Sequence, residues 1–84
     1  MPSPLVRLYS RPDCHLCDEA RAGLESLLAQ GLQFRLEEVD IDSDHRLLTR
    51  FLERIPVVEL EGEIISELVM DPESVKAKVA TVSP

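Results

Sequence analysis

The sequence predicts an α/β fold of order β-α-β-α-β-β-α, in which a mixed four-stranded sheet carries helices on both faces. Three observations predict it. Short apolar runs alternate with stretches of helical periodicity. Two of those stretches each link one strand to the next, as crossover helices do. The dipeptide Glu61-Gly62 then folds the last apolar segment into a hairpin.

The first strand is expected over 4–9, where Leu5, Val6 and Leu8 supply apolar contacts on both faces. Arg11-Pro12-Asp13 is turn material, and Asp13 is placed to cap a helix starting near Cys14. Leu16, Ala20, Leu24, Leu27 and Leu28 recur at helical spacing until Gly31 ends the helix. A second strand is expected from Gln33 to Val39. Asp40-Ile41-Asp42-Ser43 leads into a second helix, whose buried stripe is Leu47, Leu48, Phe51 and Leu52. The ring of Pro56 stops that helix and biases Ile55 toward an extended backbone. Val57 to Leu60 and Glu63 to Ile65 form the hairpin. Asp71-Pro72-Glu73 combines a cap, a first-turn proline and an acid, opening a last helix through about Thr81.

Composition narrows the function classes. At 84 residues, with 44% hydrophobic and 30% charged side chains, the chain is expected to form one domain over residues 1–84. With no Trp, one Tyr and two Phe, its core must be built of Leu, Val and Ile. The start Met1-Pro2-Ser3-Pro4 lacks the basic and apolar regions of a signal peptide, and no run reaches the ~18 apolar residues of a membrane span. A cytoplasmic protein that binds no membrane is therefore expected. The formal charge of −7 argues against nucleic acid as a partner and favours solubility.

Cys14-His15-Leu16-Cys17 holds the only two cysteines, at the expected junction of strand and helix. Their loop is too short to staple a fold by restricting the unfolded chain. In a reducing compartment such a pair is catalytic or metal-binding rather than structural. The first sulfur falls at a helix N-terminus, where free amides and the dipole favour a thiolate. Cys14 is thus the candidate nucleophile, and Cys17, one turn deeper, the resolving thiol. His15 either supports that thiolate or stands in solvent. One C-x-x-C gives two of the four ligands a structural zinc needs, and His15 and His45 are too scattered to complete the set, so no metal is expected.

This order, with C-x-x-C after the first strand and X-Pro before the third, resembles the thioredoxin fold. Leu8-Tyr9-Ser10-Arg11-Pro12-Asp13-Cys14-His15-Leu16-Cys17 and Ile55-Pro56-Val57-Val58 are similar to the two signature segments of glutaredoxins and of small bacterial glutaredoxin-like proteins. The resemblance covers almost the whole chain. It implies a dithiol–disulfide oxidoreductase acting on a disulfide-containing protein or a glutathione mixed disulfide, as a monomer. No tightly bound cofactor is implied, and glutathione would be a co-substrate. It also implies a cis bond before Pro56, with the N–H and C=O of Ile55 offered to an extended substrate. Arg11 stands where the family often has a lysine that meets a glutathione carboxylate, although a solvated turn arginine fits the position slightly better. Tyr9 either lines the site or packs on the core.

The family's Gly-Gly pair falls at Ser66 and Glu67. There Ser66 is expected to bond a carboxylate through its hydroxyl and N–H, while Glu67 adds a repelling charge. Arg54, where the family often has threonine, either supplies a compensating cation to the ligand or stands in solvent. Asp71 follows Met70, the position of the family's acid, and is committed to capping. Two other readings stand beside the enzyme: a thioredoxin-fold interaction or redox-sensing protein with little turnover, and a metal or iron–sulfur module.

Overall fold

A computed structural model describes residues 3–82. Strand β1 (Leu5–Ser10) is followed by helix α1 (His15–Ala29), strand β2 (Arg35–Asp40), a 3-10 turn (Ile41–Ser43) and helix α2 (His45–Phe51). Strands β3 (Val57–Leu60) and β4 (Glu63–Glu67) and helix α3 (Pro72–Val82) complete the order that the sequence predicts. The strands are arranged β2-β1-β3-β4, with β1 and β2 parallel and the other two pairings antiparallel.

Alternation along the strands sends side chains to two cores. Val6, Leu8, Val58 and Leu60 meet Ala20, Leu24 and Leu27 of α1 and Val75 and Val79 of α3 on one face. Tyr9 and Val57 meet Ile41 and Phe51, with Leu47 and Leu48 alongside, on the other. Phe51 is sealed from solvent and stacks on Tyr9, ring centroids 4.6 Å apart. Tyr9 is therefore a core residue, and its hydroxyl lies 3.4 Å from both oxygens of the buried Glu59 carboxylate. Among the described residues no helix is long and apolar enough to cross a membrane.

Gly31 ends α1 as expected. At φ +99° it lets its own N–H bond Leu28 C=O and that of Leu32 bond Leu27 C=O, a Schellman closure. Glu61 and Gly62 both adopt positive φ, the geometry of a two-residue hairpin turn. Asp71 caps α3 by accepting from the Glu73 N–H at 3.1 Å and the Ser74 hydroxyl at 2.8 Å.

Four local expectations need correction. Asp13 does not cap α1: it takes a left-handed φ of +58°, and the extended residue that caps the helix is Cys14. Strand β2 starts at Arg35 rather than Gln33, because the ladder begins where Arg35 N–H meets Pro4 C=O and Arg35 pairs with Leu5. Leu52 is 45% exposed. Helix α2 ends at Phe51, whose ring fills the inward position, and the next residue turns outward. Strand β4 runs on to Glu67, past a register shift opposite Val58 and Glu59 that inserts Ile65 as an extra residue.

Candidate active site

Register brings four loops to one end of the sheet. Ser10 pairs with Asp40, Tyr9 with Val57, and Val57 with Glu67. The chain beyond Ser10, the turn after Asp40, Ile55-Pro56 before β3 and Leu68-Val69 after β4 therefore emerge together. The Leu68 N–H ties two of them, donating to the carbonyls of Arg54 and Pro56 at 3.0 Å each.

Cys14 and Cys17 sit at this end, with Cα atoms 5.2 Å apart and their sulfurs at disulfide distance. Cys17 is completely buried and Cys14 only partly so. The Cys17 N–H donates to the Cys14 sulfur at 3.2 Å, and the Asp18 N–H donates to the Cys14 carbonyl at 3.0 Å. The sulfur thus lies at the positive end of a 15-residue helix and serves as its cap. An amide donor and a helix dipole of this kind stabilise negative charge on the atom they face.

The other predicted residues are placed as follows. Arg11 is bound to Asp42 at 2.9 Å. His15, 85% exposed, turns along the helix to Glu19 at 3.0 Å. Pro56 is buried and its preceding peptide bond is cis. The Ile55 N–H is not free for a substrate, because it donates to Phe51 C=O at 3.0 Å as the helix ends. Only the carbonyl side of Ile55 is left to the expected pairing. Ser66 pairs with Val58, and its hydroxyl is buried without a partner among the described residues, so it is not presented to a ligand as expected.

Arg54 and Glu67, flagged separately by the sequence, are a pair: Arg54 Nε donates to Glu67 at 3.0 Å and a second guanidinium nitrogen joins it. Arg54 thereby holds the Glu67 carboxyl below the usual carboxylate range. Two features had no clear sequence signal. Glu38 accepts from the Ser10 hydroxyl and Arg21 Nε, both at 2.7 Å, and Arg21 also binds Asp18. This network lines a cleft of about 360 Å³ beside the loop, together with Arg11, Asp13 and Asp40. Leu16, Leu68 and Val69 are 43%, 51% and 67% exposed and share one small cavity of about 80 Å³ with Glu19, Ala20 and Met70. The apolar run Leu68-Val69-Met70 in a loop was the one hint of it. Among the described residues no group of three or more His, Cys, Asp or Glu side chains is placed to hold a metal ion.

A family model described as a glutaredoxin-like domain (DUF836) matches residues 5–80. The chain belongs to that family. Among solved structures, this glutaredoxin-like domain is similar to a protein from Nitrosomonas europaea determined by solution NMR, with a TM-score of 0.80 and 28% identity over 93% of each chain. It is also similar to a structural-genomics target protein from X. campestris, with a TM-score of 0.73 and 29% identity over 92% of this chain and 97% of that one. A mutant thioredoxin from Halobacterium salinarum shares the fold at a TM-score of 0.70 and 19% identity, over 99% of this chain and 77% of its own. A search of curated proteins found no match. The glutaredoxin-like domain therefore has a thioredoxin-type α/β fold, and its Cys14–Cys17 pair supports redox activity.

Proposed function

We propose that this glutaredoxin-like domain is a dithiol–disulfide oxidoreductase that reduces disulfides of proteins or small molecules, as a monomer in a reducing compartment such as the cytoplasm. One observation carries the reading: the half-buried Cys14 caps α1 through its sulfur and the sealed Cys17 lies one turn behind it.

In the reduced domain the Cys14 thiolate attacks one sulfur of the substrate disulfide. The substrate S–S bond breaks, the leaving sulfur departs as a thiolate that takes a proton, and a mixed disulfide forms on Cys14. Cys17 then loses its proton and attacks the Cys14 sulfur. The mixed disulfide breaks, the second substrate sulfur leaves as a thiol, and Cys14–Cys17 closes. Two electrons pass from the dithiol to the substrate. A thiol reductant, glutathione or a second dithiol, returns the pair to its reduced state.

Equilibration across glutathione redox buffers, with thiol state and mass read together, tests this. A reversible Cys14–Cys17 disulfide in the native domain and a mixed disulfide on Cys14 in Cys17→Ser are expected. Thiols that stay reduced and unmodified in strongly oxidising buffer would remove the oxidoreductase reading. A partner retained at full strength by Cys14→Ser would favour an interaction role instead.

A further inference from the structure

Arg11 and Arg54, beside the dithiol site, are both committed within the chain: Arg11 is bound to Asp42 at 2.9 Å, and Arg54 to Glu67. Around the Arg11 loop the remaining charge is negative. Asp13 is exposed and has no ion-pair partner among the described residues, and Arg21 faces two carboxylates, Asp18 and Glu38. Beside the disulfide, Leu16, Leu68 and Val69 leave apolar surface in water. That surface is continuous with the redox pair, because Leu16 lies between the two cysteines and the Leu68 N–H is bonded to the Pro56 carbonyl.

We propose that these features select the substrate: a cysteine within a polypeptide segment, with an apolar neighbour on one side and a cationic neighbour on the other, in preference to glutathione. This rests on the oxidoreductase reading and narrows it. Glutathione carries two carboxylates and one ammonium group. Its carboxylates would meet arginines already neutralised by Asp42 and Glu67 and would be repelled by Asp13, and it has no large apolar side chain for the Leu16–Val69 surface. A polypeptide cysteine flanked by Leu and Lys loses apolar area to that surface and places its ammonium toward the acidic rim. The internal pairs Arg11–Asp42 and Arg54–Glu67 are thus specificity devices: each removes a cation that a carboxylate would use.

The test uses the reduced full-length Cys17→Ser protein, which keeps the mixed disulfide on Cys14. Three probes are compared: glutathione disulfide and the symmetrical disulfides of two tetrapeptides, one with Leu and Lys beside its cysteine and one with Glu on both sides. Each rate of Cys14 modification is divided by that of dithiothreitol with the same probe. The Leu/Lys peptide is expected to react at least about tenfold faster than glutathione disulfide, the effect of burying one aliphatic side chain. The Glu peptide is expected to match glutathione disulfide. Adding Glu67→Gln frees Arg54 and is expected to raise the glutathione-to-peptide ratio about fivefold, within the range of an exposed ion pair. Asp42→Asn does the same for Arg11, and Val69→Ser lowers the ratio of Leu/Lys to Glu peptide. Equal rates for the three probes, or ratios unmoved by both charge variants, would overturn the inference and leave the oxidoreductase reading standing. Cys14 left unmodified by every probe would overturn both.

Discussion

The backbone N–H of Cys17 is aimed at the Cys14 sulfur, 3.2 Å away, so the less buried of the two cysteines also caps helix α1. Serine is a strong N-cap and alanine a weak one, and neither can form the disulfide. Cys14→Ser is therefore expected to exceed Cys14→Ala in stability by about 1 kcal/mol in urea denaturation. Equal midpoints and slopes would mean that the sulfur does not hold the helix start.

His15 reaches Glu19 rather than the dithiol, and it is the more solvent-exposed of the two. An exposed pair of this kind acts weakly on its neighbours through water. Replacing His15 by Ala is expected to leave the pH profile of Cys14 alkylation where it was. A displaced profile would restore His15 as a group that tunes the thiolate.

Phe51 is the side chain that fastens α2 to the sheet. It is fully buried, stacks on Tyr9, and carries the guanidinium groups of Arg50 and Arg54 at 4.6 and 5.5 Å from its ring centre. Phe51→Ala is expected to cost about 3–5 kcal/mol, a large part of the ~5–15 kcal/mol that holds such a domain folded. Phe51→Leu, which keeps most of the volume, is expected to cost distinctly less. Chemical denaturation of the two variants checks the order.

Glu38 gives a pH dependence of definite sign. The Arg21 guanidinium first, and then the Ser10 hydroxyl, hold its carboxyl below the usual range against the opposing effect of partial burial. The folded protein therefore binds this proton less tightly than the unfolded chain. Its contribution to stability is complete above the unfolded value of about 4.3 and is lost as pH falls through the lowered folded value. Glu38→Gln is expected to flatten the acid side of the stability curve without removing it, because Asp44, Glu67 and Asp71 are shifted in the same direction. An acid limb as steep as that of the native chain would show that the Ser10–Glu38–Arg21 network adds nothing.

What the sequence determined by itself was local. The C-x-x-C at a strand–helix junction, the Gly31 stop, the Glu61-Gly62 hairpin and the Asp71-Pro72 helix start are each decided by a few adjacent residues with strong backbone preferences. They were enough for the order of elements and for the two cysteines. The tertiary structure decided which groups are already engaged. Asp13 gave up the cap to Cys14 because its own backbone is left-handed. The Ile55 N–H was taken by Phe51, and the Ser66 hydroxyl was buried opposite Val58. Arg11 found Asp42, Arg54 found Glu67, and Glu38 found Ser10 and Arg21 across 28 and 17 residues. Charge can be counted along a chain, but partners are assigned by sheet register and helix docking. That assignment set the composition of the site mouth: Arg11 and Arg54 neutralised and an apolar surface left open.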